Sequence, residues 1–138
     1  MRKSFAIALA MTLVFSAMAV NAETILLSMK GPGAGNPFWA AVEKGAREKA
    51  KELGVDLVVL APPQESDITS QIAQIEDQMT KGVDGIALAP TDPDALAPIV
   101  DEALAEGTKV VFVDTNGKNK GVTFIGTNNE MGAKLAAD

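Results

Sequence analysis

The chain alternates between short apolar runs and longer segments in which apolar residues recur every three or four positions. The short runs predict strands at residues 24–29, 55–60, 83–89, 109–113 and 122–126. Continuous apolar runs, unlike alternating ones, are typical of strands buried on both faces of a parallel sheet. The repeated order of strand and helix therefore predicts an α/β fold with a doubly wound parallel sheet.

Capping residues and glycines mark the ends of the helical segments. The expected start signals, in chain order, are Asn36 with Pro37, Ser66 or Asp67, the PTDPDA turn, and Asn128 or Asn129. The expected stop signals are Gly54, Gly82 and Gly107. The last segment, EMGAKLAAD, has a helix start and no stop signal, so the domain is expected to be interrupted at Asp138.

Apolar side chains at helical spacing are expected to face the sheet. In the first helix these positions are Phe38, Val42, Gly45 or Ala46, Lys49 and Leu53. In the second they are Ile68, Ile72, Ile75 and Met79, and in the third Leu96, Ile99, Val100, Ala103 and Leu104. Adjacent helical residues point about 100° apart. Phe38 and Trp39 therefore cannot both face the sheet, and this spacing leaves Trp39 beside a cleft.

In a doubly wound sheet, a ligand lies beyond the carboxyl ends of the strands, near the switch in strand order. The loops expected there are residues 30–36, 61–66, 90–94, 114–120 and 127–129. The first contains the sequence GPGAG, which invites comparison with phosphate-binding loops. The third glycine of G-x-G-x-x-G falls on Asn36, and no Gly-Lys-Ser/Thr ending follows. The favoured interpretation is that these glycines allow a tight turn.

Three candidate binding side chains lie in or beside these loops. Trp39 could stack on a sugar ring or pack at an interface, and the residue type leaves both open. Asp114 ends the fourth strand, where its two oxygens would suit vicinal hydroxyls, although DTNG is also an ordinary turn sequence. Asn36 could bind a ligand or serve only as an N-cap.

The first 22 residues have the pattern of a secretory signal. Arg2 and Lys3 precede an apolar run at residues 5–20, and small residues follow as far as Ala22. The apolar run of about 16 residues is short for a membrane anchor, which needs ~20. We therefore expect cleavage after Ala22 and one exported domain at residues 23–138.

The remaining composition excludes several function classes. Beyond the signal, ten basic residues stand against eighteen acidic ones, a net charge of −8 that repels nucleic acid. The chain has no histidine, no cysteine and no G-x-S-x-G sequence, so we do not expect an enzyme. Asp92, Asp94 and Asp114 could ligate a hard cation, but suitable neighbouring residues are not evident. No metal or cofactor is expected.

Several motifs together resemble one family, over the whole of residues 23–138. They are NPFW, KGAREKAKELGVDLVVL, SQIAQIEDQMTKGVDGIALAPTDPDAL, KVVFVDT and FIGTNNEMGAKLAA. The chain resembles the N-terminal lobe of a periplasmic sugar-binding protein of the ribose/allose/galactose type. Such proteins have the periplasmic binding protein-like fold with two lobes, and they deliver sugar to ABC importers and sometimes to chemoreceptors.

The resemblance implies ligand contacts at Asn36, Phe38 and Trp39, so it also brings the edge of Phe38 to the ligand. It further implies that Asp114 binds sugar hydroxyls, with Thr115 beside it and Asn128 and Asn129 near the hinge. Ribose binders often have arginine where this chain has Thr115, and the KGPGAG loop is longer than usual. Lys30 could therefore also reach the cleft, and the ligand could be a hexose, a pentose, a polyol or a modified sugar.

The resemblance implies capture of a monosaccharide in the periplasm for an ABC transporter permease. The alternative is a periplasmic sensor domain that presents sugar to a chemoreceptor or kinase. A sugar-responsive repressor would need a basic helix-turn-helix where the signal stands. A single lobe has half a site and is expected to bind sugar weakly or not at all.

Overall fold

The computed structural model describes residues 22–137, so nearly all of the expected signal lies outside the described residues. The strands are β1 (Thr24–Ser28), β2 (Asp56–Leu60), β3 (Gly85–Leu88), β4 (Lys109–Val113) and β5 (Thr123–Ile125). The helices are α1 (Pro37–Leu53), α2 (Ile68–Thr80), α3 (Ala97–Ala105) and α4 (Asn129–Ala137). The predicted sequence of elements is confirmed.

The five strands form one parallel sheet in the order β2-β1-β3-β4-β5. In the central register, Leu26 of β1 lies opposite Val58 on one side and Ile86 on the other. Since β2 and β3 flank β1, the strand order reverses there, and the loops after β1 and β3 diverge at the carboxyl edge. The predicted doubly wound sheet is confirmed.

The two faces of the sheet carry separate apolar clusters. The larger contains the inward residues of α2 and α3 packed against Leu26, Ile86 and Phe112. The smaller contains Trp39 of α1. Helices thus cover both faces, which explains why the strand sequences are continuously apolar. No helix among residues 22–137 has the length and hydropathy needed to span a membrane.

The capping predictions for α1 and α2 are confirmed by side-chain hydrogen bonds, whereas α3 begins after Leu96 without a side-chain cap. The Asn36 Oδ1 atom accepts from the backbone N–H of Phe38 at 3.1 Å and of Trp39 at 3.4 Å. Asp67 accepts from the backbone N–H of Ser70 at 3.0 Å. Gly54, which follows α1, has φ of 70°, a left-handed conformation that glycine adopts without strain.

The inward face predicted for α1 is confirmed in the middle of the helix, where Val42 and Ala46 pack against the smaller cluster, and is wrong at both ends. Phe38 and Leu53 are exposed, as is Lys49, whereas Trp39 and Ala50 are buried. At each end the adjacent position faces the sheet instead, and at the start of the helix this buries the larger indole ring of Trp39. In α3, Leu104 is also exposed, contrary to prediction, because the helix packs through the neighbouring Ala103.

Gly117, in the loop between β4 and β5, is in tight contact with a core side chain. A methyl group on Gly117 would overlap the ring of Phe112, which is fully buried and cannot move aside. We expect Gly117→Ala to lower the free energy of unfolding by about 1–3 kcal/mol. Urea denaturation followed by circular dichroism measures this change.

The matched control is Gly45→Ala, because Gly45 lies in the middle of α1 and a methyl group there meets no atom within 4 Å. Alanine is the better helix former, so this variant should be more stable by about 0.5–1 kcal/mol. Equal stability of the two variants would contradict the packing described for Gly117.

Candidate functional site

A cleft of about 320 Å³ opens at the carboxyl edge of the sheet, between the start of α1 and the ends of β4 and β5. Its lining residues are Phe38, Trp39, Val42, Val113, Asp114, Ile125, Gly126 and Thr127. Three of these, Phe38, Trp39 and Asp114, are residues that the sequence predicted for the site. The loops at residues 61–66 and 90–94 share this edge of the sheet but do not line the cleft.

The aromatic pair lies at the α1 side of the cleft, with the two rings in different environments. Phe38 is 51% exposed, whereas Trp39 is only 2% exposed. The ring centroids are 4.8 Å apart at an interplanar angle of 75°, an edge-to-face contact. The spacing argument, which expected Trp39 to be the open ring and Phe38 the buried one, is therefore wrong about exposure, although both rings line the cleft.

Trp39 is held in place by the loop that follows β2. Its indole Nε1 donates a hydrogen bond to the Oε1 atom of Glu65 at 3.1 Å. A buried indole N–H needs such an acceptor. Sequence reasoning missed Glu65, because nothing in the local pattern links the first turn of α1 to a loop residue 26 positions later.

Asp114 lies directly after β4 with φ of 60°, the sole non-glycine positive φ found among residues 22–137. Its backbone N–H donates to the carbonyl of Ile125 at 3.0 Å, which joins the ends of β4 and β5. Aspartate tolerates this left-handed conformation better than most residues, but it still stores strain. Strain of this kind is often found at binding sites.

The carboxylate of Asp114 has two polar neighbours. Its Oδ2 atom accepts from the Thr115 hydroxyl at 3.1 Å and lies 3.5 Å from the Lys30 ammonium. The side chain of Asp114 is 37% exposed and that of Lys30 is 24% exposed. Lys30 and Asp114 together provide hydrogen-bond donors and acceptors at the edge of the cleft.

The remaining predicted residues, Asn36 and Asn128, cap helices. The side-chain oxygen of Asn36 caps α1, as described above, and the Asn128 Oδ1 atom accepts from the backbone N–H of Met131 at 2.9 Å. Neither residue lines the cleft. The structure therefore brings together Lys30, Thr115 and Asp114, places Phe38 and Trp39 across the cleft, and leaves both asparagines at helix starts.

The GPGAG loop has a shape that its glycines make possible. Gly35 has φ of 81°, and a methyl group on Gly33 would lie 3.2 Å from the backbone of Ala40. These features suit a tight turn before α1, as the favoured interpretation has it. Among residues 22–137, no group of three or more acidic side chains is arranged to hold a metal ion.

Gln71 organises the carboxyl ends of the two central strands. Its Nε2 donates to Ser28 Oγ at 3.1 Å and to the carbonyls of Met29 at 3.3 Å and Ala89 at 2.9 Å. Its Oε1 accepts from the backbone N–H of Thr91 at 2.8 Å. Sequence reasoning missed Gln71, although a glutamine three residues after Ile68, within the apolar stripe of α2, was a usable signal.

Comparison with known proteins places the chain in a family. The family model described as "Periplasmic binding protein domain" matches residues 27–138. The chain belongs to the periplasmic binding protein family. This membership agrees with the parallel sheet and with the cleft at its carboxyl edge.

Relatives within the family share both sequence and fold with the chain. A D-ribose/D-allose-binding protein of Pseudomonas aeruginosa is 37% identical, with 87% of this chain and 41% of the relative covered. The ribose import binding protein of Escherichia coli is 30% identical, with 96% of this chain and 43% of the relative covered. The solved structure of a carbohydrate transporter solute binding protein from Agrobacterium radiobacter, in complex with D-arabinose, matches with a TM-score of 0.76 and 32% identity. The match covers 88% of this chain and 40% of that protein. The chain thus spans about two fifths of the length of these periplasmic binding proteins.

Proposed function

We propose that this periplasmic binding protein lobe captures a monosaccharide for an ABC importer. The observation that carries the proposal is the open ring of Phe38 on one side of the cleft, with the carboxylate of Asp114 on the other. An aromatic face packs against the C–H groups of a sugar, and a carboxylate accepts two hydroxyl protons. The two elements together suit a small polyhydroxylated ring.

Lys30 and Thr115 lie beside Asp114, although neither is among the residues that line the cleft. The ammonium of Lys30 can donate to a ring oxygen or hydroxyl while it remains close to Asp114. The Thr115 hydroxyl, which donates to Asp114, orients that carboxylate. Hydrogen bonds with a charged partner are about twice as strong as neutral ones, so these groups would provide much of the binding energy. No step of this capture changes the sugar chemically.

A second lobe would complete the site. The cleft is open to solvent, and the relatives described above have more than twice the length of the chain. We propose that the longer protein closes two lobes around the sugar by a hinge motion. Asn128, at the start of α4, lies beyond the last strand, where the chain would enter the hinge.

The partner implied by this function is the membrane permease of an ABC importer, met in the periplasm after cleavage of the signal at Ala22. The names of the relatives refer to sugar binding and import, which supports a transport role. They give no support to the alternative of a chemoreceptor partner.

The proposal predicts weak, localised sugar binding by the chain itself. Titration with D-ribose, D-allose or D-arabinose, followed by NMR, should shift the signals of Phe38, Asp114 and their neighbours. Because one lobe supplies only part of the contacts, we expect a Kd in the millimolar range, a binding free energy of about −4 kcal/mol. Glutamine, similar in size but not a sugar, serves as the control ligand.

Two results would contradict the proposal. One is an absence of shift changes with all three sugars, and the other is shift changes that map outside the cleft. Binding in the micromolar range would contradict the prediction that the site is incomplete, but it would agree with the proposed sugar binding.

A further inference from the structure

We infer that Glu65 is a positioning residue for the aromatic side of the cleft. It acts through Trp39, which in turn fixes the ring of Phe38. The predicted effect on sugar affinity rests on the proposed sugar function, whereas the predicted effect on the two aromatic rings does not.

The first step is the bond between Glu65 and Trp39. Trp39 belongs to the apolar cluster under α1, with Leu27, Met29 and Ala89. The indole N–H is its one polar group, and the Oε1 atom of Glu65 accepts from it at 3.1 Å. Glu65 is itself exposed, so loss of its carboxylate would leave the indole N–H without a protein acceptor, and the ring would rotate toward another partner or toward water.

The second step is the route by which Glu65 reaches Trp39. Glu65 lies in the loop after β2, and its side chain passes directly over Gly31. A methyl group on Gly31 would lie 3.0 Å from the Glu65 Cγ atom. The first glycine of the GPGAG loop therefore leaves space for this side chain, a role that the sequence did not reveal.

The third step is the contact between the two rings. Phe38 is half exposed, and its edge-to-face contact with Trp39 at 4.8 Å fixes the orientation of its ring. If the indole rotates, this contact is lost, and the Phe38 ring no longer keeps one orientation toward Asp114. Glu65 thus controls the surface offered to a sugar, although it does not line the cleft itself.

Trp39 is the only tryptophan in the chain, so its spectroscopic signals are unambiguous. We expect Glu65→Ala to shift the fluorescence emission of Trp39 and to weaken its near-ultraviolet circular dichroism. In aromatic NMR spectra, the ring-current shift that Trp39 imposes on the Phe38 protons should also diminish. Glu65→Gln keeps an oxygen acceptor, so it should restore all three signals.

Gln64→Ala is the matched control, since Gln64 is an exposed neighbour in the same loop. It should leave all three signals as in the wild type. Far-ultraviolet circular dichroism, recorded for each variant, verifies that the fold is retained. If Glu65→Ala destabilises the fold, Gly31→Ala offers a second test, because it displaces the Glu65 side chain while leaving the carboxylate present.

Sugar affinity provides the second part of the test. With D-allose and D-ribose as probes, Glu65→Ala should bind about tenfold more weakly than the wild type, a factor that corresponds to ~1.4 kcal/mol. Glu65→Gln should bind within about twofold of the wild type.

The inference is overturned if Glu65→Ala leaves the Trp39 and Phe38 signals unchanged. It is also overturned if both Glu65 variants lose affinity equally with unchanged signals, because Glu65 would then contact the sugar directly. If the wild type binds no sugar, the proposed function fails, while the spectroscopic comparison still decides the role of Glu65.

Discussion

Trp39→Ala is expected to lower the free energy of unfolding by about 3–5 kcal/mol, one of the largest effects available to a single substitution in this chain. Trp39 is 2% exposed, so its removal leaves a cavity under α1 and leaves Glu65 without its hydrogen-bond donor. The loss is a large fraction of the 5–15 kcal/mol typical of folded domains. Thermal or urea denaturation followed by circular dichroism measures it.

Phe38→Ala, at the adjacent position, is the matched control, because it should reduce sugar binding strongly and stability only slightly. Phe38 is half exposed, so its truncation should change the free energy of unfolding by less than about 1.5 kcal/mol. It removes the aromatic face of the cleft, however, and should abolish measurable sugar binding. A Phe38 variant as unstable as the Trp39 variant would contradict the assignment of the buried and the open ring.

Asp114→Asn is expected to weaken sugar binding by about ten- to a hundredfold, the range for loss of a hydrogen bond to a charged group. Asparagine tolerates φ near 60°, so the backbone conformation and the hydrogen bond to Ile125 should survive. The substitution therefore removes the charge without removing the turn. A sugar titration, followed by NMR as for the wild type, measures the change.

The matched control for charge is Asp94→Asn. Asp94 forms an exposed ion pair with Lys118 at 3.4 Å and does not line the cleft. Both variants lose one negative charge, yet only Asp114→Asn should lose affinity, with both retaining wild-type stability to within about 1 kcal/mol. Equal affinities in the two variants would remove Asp114 from the site.

Local signals in the sequence were sufficient for most of the fold. The β4 bounds agree with the prediction at both ends, and the caps at Asn36 and Asp67 make the expected hydrogen bonds. These features depend on short-range chemistry, such as the missing N–H of proline and the side-chain oxygen of a cap. The doubly wound parallel architecture also followed, because right-handed crossovers leave few arrangements for alternating strands and helices.

The site was harder to predict because it depends on contacts between distant loops. Asp114 and the aromatic pair were identified, but the partner of the buried ring, Glu65, lies in the loop after β2, far from α1 in the sequence. The ion pair between Lys30 and Asp114 joins residues that are far apart in the chain, and no pattern of apolar residues in the sequence predicts it. Asn36 and Asn128 suited both a cap and a ligand contact, and the sequence could not rank these two uses.

The hydrogen bonds of Gln71 have a consequence for the thermodynamics of sugar capture. One buried carboxamide joins α2 to the loops after β1 and β3, so these loops are already ordered before any ligand arrives. The entropy of ordering them is lost during folding rather than during binding. The loop after β1 carries Lys30, which lies beside Asp114, so sugar capture should require little further ordering of that loop, and its contribution to discrimination between sugars should come from fixed geometry rather than from adaptation.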